Sequence, residues 1–333
     1  MRWMSLALLV GCVEPPVEDT DVLTGACEPT GPSQALQALP NAEDPIGGSG
    51  LLTGPTAWLL LAERATPDGV EIATWRTTNE GQTWVESVPL GLVSDRYVGN
   101  LSTVSLAGEQ WLYFQSANGL NDVPILWRTR WDDGHFAPVE AVRPLLDAGG
   151  WNSRPLMWSD GGAVWAAYRN VEGVPSIAAA ADGLLFSAVT GPVTEPQDNF
   201  IVGTFGDGTI LAVWQTRDGP ALLSQTIGDG WTTPRTVSSQ FEGVRDVRAL
   251  FVERNRIDLY YRTDTGIVRR RPVFGQGGSS PEQTVNTGFA ADAGLPVPHR
   301  MPDCRILLTV TTEPDDPEAP LGVLILDRDA PVR

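Results

Sequence analysis

The sequence contains no lysine, only two histidines and only three cysteines, and each shortage excludes a class of function. Without lysine there is no amine for a Schiff base or for a Walker-type phosphate loop. His135 and His299 are too few for a histidine-rich zinc site or for the HExxH motif of zinc proteases. The sequence has 23 basic and 41 acidic residues, and the net charge of -18 argues against nucleic acid as a partner. The sequence predicts no cofactor and no metal site.

The apolar run near the N-terminus, Trp3 to Val10, is far shorter than the ~20 residues that span a bilayer. It follows Arg2, which is typical of a secretion signal. The next residues, Leu9-Val10-Gly11-Cys12, resemble the lipobox of bacterial lipoproteins, in which the chain is cut before the cysteine and the cysteine carries the lipid. The resemblance implies a signal segment at 1–11, lipidation of Cys12 and a lipid-anchored protein of the cell envelope, at the outer membrane or cell surface. An ordinary secretion signal is the alternative.

Residues 12–32 are acidic and rich in proline, with no apolar period. Such a segment buries too little apolar surface to offset its ordering entropy, so it is predicted to be a disordered tether. Cys27 and Cys304 are the two cysteines that remain after Cys12. An even pair in an exported protein predicts a disulfide, and two free thiols are the alternative.

An apolar strand of about five residues recurs six times after residue 33, at intervals of 46 to 53 residues. The copies begin at Trp58, Trp111, Val164, Ile210, Ile257 and Ile306. Further strand-like segments surround each copy, and no stretch shows a helical period. Four short strands in each unit of about fifty residues predict an all-β fold, a six-bladed β-propeller over residues 33–333. A β-sandwich array and a parallel β-helix are the alternatives.

The last unit ends soon after its second long strand, so it lacks an outer strand. The segment from Ser33 to Leu39 has the character of that missing strand, and it precedes the first unit. We therefore expect it to complete the last blade and close the ring, because an open ring leaves two sheet edges with unpaired backbone N–H and C=O groups. Closure would also bring Cys27 towards the unit that contains Cys304, which favours the disulfide.

The first unit contains the turn sequence Thr77-Thr78-Asn79-Glu80-Gly81-Gln82-Thr83-Trp84. It resembles the Asp-box, or bacterial neuraminidase repeat, of sialidase-like propellers, through Thr77, Asn79, Gly81, Thr83 and Trp84. Degraded copies include Asp182-Gly183-Leu184-Leu185-Phe186. The resemblance implies a sialidase-like propeller. Sialidases bind the substrate carboxylate with three arginines, the first of them early in the first blade, but residues 41–63 here contain no arginine.

Polar residues at or near the first strand of each unit are the candidates for a site at the central channel. Three carboxylates are the weak catalytic candidates: Asp198, Asp246 and Asp292. The ligand-binding candidates are Arg96, Asn100, Asn152, Arg154, Asn199 and Arg245. Carboxylates and arginines around a channel could grip a sugar, and two carboxylates could hydrolyse one. The alternative is that these side chains only satisfy backbone groups and water. Trp131 and Trp151 are the tryptophans expected to be exposed for stacking on sugars.

The secretion signal, the repeat and the missing arginine favour a non-catalytic propeller that binds a glycan or an envelope protein. We expect it to be a monomer. A glycoside hydrolase that uses the channel carboxylates is the alternative, and a scaffold partner within an envelope complex is a third.

Overall fold

The computed structural model describes residues 34–40, 45–66, 69–87, 97–117, 124–132, 134–143, 155–195, 198–204, 209–215, 221–227, 230–236, 245–253, 256–263, 266–270, 283–284, 294–302, 305–311 and 321–326. All regular structure in this part of the chain is β-strand. In this described part of the chain, no helix is long and apolar enough to span a bilayer. The predicted signal segment, the tether and all three cysteines lie outside the described residues. The lipidation of Cys12 and the disulfide between Cys27 and Cys304 therefore stay predictions.

The strands form antiparallel meanders, one for each repeat of the sequence, arranged as a β-propeller. The first unit consists of β2 (Pro45–Thr53), β3 (Trp58–Thr66), β4 (Gly69–Thr77) and β5 (Val85–Glu86), after β1 (Gln34–Ala38). The second consists of β6 (Tyr97–Leu106), β7 (Glu109–Ala117), β8 (Ile125–Asp132), β9 (His135–Phe136) and β10 (Glu140–Ala141). The third consists of β11 (Leu156–Ser159), β12 (Val164–Arg169), β13 (Pro175–Ala180) and β14 (Ser187–Val189).

The remaining three units follow the same plan. The fourth consists of β15 (Asp198–Thr204), β16 (Ile210–Gln215), β17 (Ala221–Ile227), β18 (Gly230–Trp231) and β19 (Arg235–Thr236). The fifth consists of β20 (Arg245–Glu253), β21 (Arg256–Thr263), β22 (Gly266–Arg270) and β23 (Gln283–Thr284). The last consists of β24 (Gly294–Arg300), β25 (Ile306–Thr311) and β26 (Leu321–Leu326), and β1 joins it.

The second strand of the first unit is apolar on both faces because a neighbouring unit covers it on either side. In β3, Leu60 and Ala62 pack into a core shared with the last unit, which contributes Ile325. Leu59 and Leu61 point to the opposite face, where they share a core with the second unit. Side chains alternate between the two faces of a strand, so a strand buried on both faces reads as an uninterrupted apolar run. This explains the recurring apolar segment in the sequence.

The propeller has five blades, one for each sheet, so the prediction of a six-bladed propeller is wrong. The first two units are joined into one nine-stranded sheet through a parallel pairing of Val70 in β4 with Tyr97 in β6. Each of the other four units forms a sheet of its own. Each repeat of the sequence corresponds to one meander. A single strand pairing between two meanders merges their sheets but leaves the repeat in the sequence unchanged.

The N-terminal strand closes the ring, as the sequence predicts. β1 pairs antiparallel with β26, with Gln37 opposite Val323 and Ala38 opposite Gly322. The segment then crosses to the first unit, where Leu39 is buried in the core and the Pro40 carbonyl accepts a 2.8 Å hydrogen bond from Trp75 Nε1. The two ends of the described chain therefore hold the last unit against the first.

The turn at residues 77–84 is organised by the side chains of Thr77 and Asn79. Thr77 Oγ1 donates a 2.8 Å hydrogen bond to Asn79 Oδ1 and accepts one of 3.2 Å from Gly81 N. Asn79 Oδ1 also accepts a 3.0 Å hydrogen bond from Thr83 N. Gly81 has a φ of 82°, which suits glycine, and Trp84 is buried in the core shared with the last unit. The turn thus ties the first unit to its neighbour.

A second turn, at residues 181–186, contacts the neighbouring unit in a similar way. Asp182 Oδ1 accepts hydrogen bonds of 2.8 and 2.9 Å from two backbone N–H groups that follow it. These bonds stabilise the carboxylate and lower the pKa of Asp182. Across the seam, Tyr113 Oη donates a 2.9 Å hydrogen bond to the Gly183 carbonyl, and Arg128 Nη1 donates one of 2.5 Å to the Asp182 carbonyl.

Candidate functional site

The first strands of the six units surround the propeller axis. Each contacts the first strand of the next unit, in the order β2, β6, β11, β15, β20 and β24, and β24 contacts β2. The units repeat one antiparallel plan, so these strands all begin at the same end of the ring. We call that end the channel mouth, and it lies at the first residues of these six strands. Ligands of ring-shaped β folds commonly bind at such an opening.

The first strands are irregular at the channel mouth. The pairing between the first and second strand shifts register near the beginning of β2, β6, β15, β20 and β24. Such bulges leave one residue unpaired, bend the strand and re-aim side chains, and they are common next to binding sites. The regular pairing of strands is therefore interrupted at the channel mouth, where polar side chains can be directed towards a ligand.

Five of the predicted site residues are in strands at the channel mouth: Asn100, Asp198, Asn199, Arg245 and Asp246. Asn100 is the fourth residue of β6, and the other four occupy the first two positions of β15 and β20. Arg96, Asn152, Arg154 and Asp292 lie outside the described residues. For the carboxylates and the arginine in β15 and β20, the structure supports the backbone position alone, so their roles stay predictions.

Asn100 occupies a backbone conformation that is unusual for a residue other than glycine. Its φ is 57°, within the bulge that separates the pairings of Gly99 and Ser102. Its Nδ2 donates a hydrogen bond to Oε1 of Gln115, a side chain only 1% exposed. Asparagine adopts left-handed backbone more readily than most residues, and residues other than glycine in this conformation cluster at functional sites.

Glu63 helps to hold this backbone, and no pattern in the sequence marks it as a site residue. Its side chain is 3% exposed, and its Oε1 accepts a 3.2 Å hydrogen bond from the backbone N–H of Leu101. A buried carboxylate needs hydrogen-bond donors, and this contact fixes the backbone directly after Asn100. Glu63 lies in the second strand of the first unit and Leu101 in the second unit, so only the packed fold reveals the contact.

A second polar cluster lies where the last unit packs against the first, on β2, β24 and β25. Ser49 Oγ is 2.9 Å from His299 Nε2 and 2.7 Å from Thr309 Oγ1. Thr309 Oγ1 also donates a 3.3 Å hydrogen bond to the Val297 carbonyl. Burial lowers the pKa of His299 from 6.5 to about 4, so its imidazole is neutral at neutral pH. Sequence reasoning missed this cluster because about 250 residues separate its members.

The two clusters suit recognition of hydroxyl groups. Amide, imidazole and hydroxyl groups can each donate or accept a hydrogen bond, and together they match the mixed donor and acceptor character of a sugar hydroxyl. Over the part of the chain that the structure describes, no three histidine, cysteine or acidic side chains converge as metal ligands would.

The prediction that Trp131 is exposed is wrong. The side chain is 8% exposed and lies against Phe136, with ring centroids 4.9 Å apart. Trp131 ends a strand next to a turn signal, but β9 folds back over it and covers the ring. Trp151 lies outside the described residues.

No family model and no curated protein matches this sequence. Solved structures do match the fold. A protein of unknown function from Dyadobacter fermentans has a TM-score of 0.69 at 14% identity, covering 89% of this chain and 99% of that one. An α-L-arabinanase from Penicillium chrysogenum, complexed with arabinobiose, has a TM-score of 0.62 at 13% identity and covers 89% and 98%. The NanB sialidase of Streptococcus pneumoniae has a TM-score of 0.62 at 8% identity and covers 90% and 71%. The chain therefore has the β-propeller fold that sialidases and an arabinanase also adopt.

Proposed function

We propose that this protein is an envelope-tethered, non-catalytic propeller that binds a glycan at the channel mouth. The observation that carries the proposal is Asn100, a polar residue in the left-handed conformation within a bulge, whose side chain is held by Gln115 and whose following backbone is held by Glu63. The arabinanase of similar fold was solved with arabinobiose, and the turn at 77–84 resembles the Asp-box of sialidase-like propellers. Both likenesses support a carbohydrate as the ligand.

Asn100→Gly is expected to weaken glycan binding at least tenfold. Glycine keeps the left-handed backbone without strain and removes only the amide, so the fold should persist. A glycan array with the purified full chain would identify a ligand, and calorimetry would then compare the variant with the wild type. Ala107→Gly is the matched control, because Ala107 also has a positive φ, of 51°, but is exposed in the turn after β6. Equal affinity of Asn100→Gly and the wild type would contradict the proposal.

An envelope protein is the other partner that a non-catalytic propeller could bind. The large apolar side chains that are exposed, among the residues described, are Val85, Ile125, Val171 and Leu185. They belong to four different strands or turns in the first three units, which does not suggest one apolar docking face. A glycan is therefore the better-supported ligand.

A glycoside hydrolase is the second candidate function, and the placement of Asp198 and Asp246 favours it. They lie within the first two positions of neighbouring first strands, β15 and β20, which contact each other. Hydrolysis requires two carboxyl groups about 5 to 10 Å apart. We expect no turnover of a panel of fluorogenic glycosides, sialosides included. Turnover that Asp246→Asn or Asp292→Asn abolishes would instead establish the enzyme.

The envelope tether is proposed from the lipobox-like sequence that ends at Cys12. Cells that produce the protein are expected to incorporate radiolabelled palmitate into it, and Cys12→Ser is expected to lose the label, because the thiol is the acylation site. Cys27→Ser is the matched control, since it removes a cysteine outside the lipobox. Equal labelling of Cys12→Ser would rule out this anchor.

A further inference from the structure

The cluster of Ser49, His299 and Thr309 fixes the positions of its own protons. Thr309 Oγ1 donates to the Val297 carbonyl, so its proton is not shared with Ser49. The 2.7 Å contact between the two hydroxyl oxygens then requires Ser49 to donate to Thr309. A serine has one hydroxyl proton, so the 2.9 Å contact between Ser49 and His299 must carry a proton from Nε2. Only this assignment gives all three contacts a proton.

Burial maintains this order of donors. Ser49 is 7% exposed and Thr309 is 1% exposed, so water cannot readily replace either partner. Breaking one contact would leave a buried hydroxyl without a hydrogen bond, which is costly in the protein interior. The chain of donors runs from β24 through β2 to β25 and back to a carbonyl of β24, so the packed seam between two units enforces it.

The other ring nitrogen of His299 is the acceptor that remains. Nε2 carries the proton, so Nδ1 of the neutral ring carries a lone pair. Nδ1 makes no hydrogen bond with any side chain or backbone group in the described ranges, and the residue keeps part of its surface accessible. His299 belongs to β24, one of the strands that surround the channel. The lowered pKa keeps the ring neutral and the lone pair free at neutral pH.

We propose that His299 is locked as the Nε2–H tautomer and presents Nδ1 to the channel as the hydrogen-bond acceptor for a hydroxyl group of a bound sugar. The identity of the ligand as a sugar rests on the proposed function, whereas the tautomer does not. A locked neutral acceptor selects ligands that donate a proton at this position, so His299 would add specificity at a second point, apart from Asn100.

Nitrogen-15 NMR of the imidazole rings tests the tautomer directly, in the wild-type chain. The protein has two histidines, and His135 is exposed, so its ring serves as the internal reference. At pH 7 the spectrum is expected to show His299 with a protonated Nε2 and an unprotonated Nδ1. A His299 ring with its proton on Nδ1, or an even mixture of tautomers, would overturn the proposal.

Two substitutions test whether the hydroxyl chain causes the lock. Thr309→Val keeps the shape of the side chain and removes the hydroxyl, and Ser49→Ala removes the direct partner of the ring. Both are expected to turn the single tautomer into a mixture. Thr129→Val is the matched control, because Thr129 is equally buried and donates a 2.6 Å hydrogen bond to a carbonyl, that of Ala137, in the second unit. A tautomer unchanged in both test variants would exclude the lock.

Acylation by diethyl pyrocarbonate, read by mass spectrometry, tests whether a channel ligand reaches Nδ1. The reagent attacks imidazole nitrogens that carry a lone pair, so both His299 and His135 are expected to react. Saturating arabinobiose or sialic acid is expected to slow modification of His299 at least tenfold and to leave His135 unaffected. If His299 does not react, or neither sugar protects it, the assignment of a sugar hydroxyl is wrong. Failure of the glycan array alone would remove the proposed function and leave the tautomer result standing.

Discussion

Gly183→Ala is expected to destabilise the protein by about 3 kcal/mol, through a steric clash added to backbone strain. Gly183 has a φ of 67°, which costs an alanine free energy. An added Cβ would collide with the Tyr113 hydroxyl and lie 2.7 Å from Arg128 Nη1. Neither side chain can withdraw freely, because Tyr113 is fully buried and Arg128 also contacts the ring of Trp111 at 4.3 Å. The turn at 181–186 would have to leave the second unit.

Gly108→Ala separates the two contributions. Gly108 has a similar φ of 78°, but an added Cβ would meet nothing within 4 Å. We therefore expect it to cost about 1 kcal/mol, from backbone strain alone. Urea unfolding at equilibrium would measure both variants. If they are destabilised equally, the 181–186 turn is not held against Tyr113 and Arg128 as the structure indicates.

The sequence was sufficient to predict the propeller, because its repeat arises from burial on both faces of one strand in each unit. The closing of the ring was also predictable, since the missing strand of the last unit and the spare segment before the first unit are both visible in the sequence. The number of sheets could not be predicted from the sequence. It depends on one backbone pairing, of Val70 in β4 with Tyr97 in β6, and a backbone pairing between strands of neighbouring units leaves no mark in the pattern of side chains.

The site was only partly predictable, for a related reason. Asn100 could be identified because it is a polar residue at or near the first strand of a unit. Glu63 could not, because a glutamate in a strand usually points into water, and its buried partner is in the next unit. His299 and Ser49 are 250 residues apart, and nothing in either segment indicates the other. Polar contacts across seams between units follow from three-dimensional packing, which a single sequence does not encode locally.

The stability of the protein is expected to fall by about 2 to 3 kcal/mol between pH 6.5 and pH 4 because of His299 alone. The imidazole has a pKa of 6.5 when exposed and about 4 in the fold, since burial disfavours its charged form. Across this window the unfolded chain therefore binds a proton that the folded chain does not. Acid thus favours the unfolded state, and the loss is complete once the pH falls below the folded pKa.

His299→Gln isolates this effect from the carboxylates that titrate over the same range. Glutamine can still donate a hydrogen bond to Ser49 but gains no charge, so the stability of the variant should depend less steeply on pH by the same 2 to 3 kcal/mol. His135→Gln is the matched control, because it makes the same substitution at an exposed ring. Urea unfolding at a series of pH values measures all three proteins. Identical slopes for His299→Gln and the wild type would mean that the ring of His299 takes up its proton as readily in the fold as outside it. The imidazole would then not be desolvated where the last unit packs on the first, and burial would not lower its pKa there.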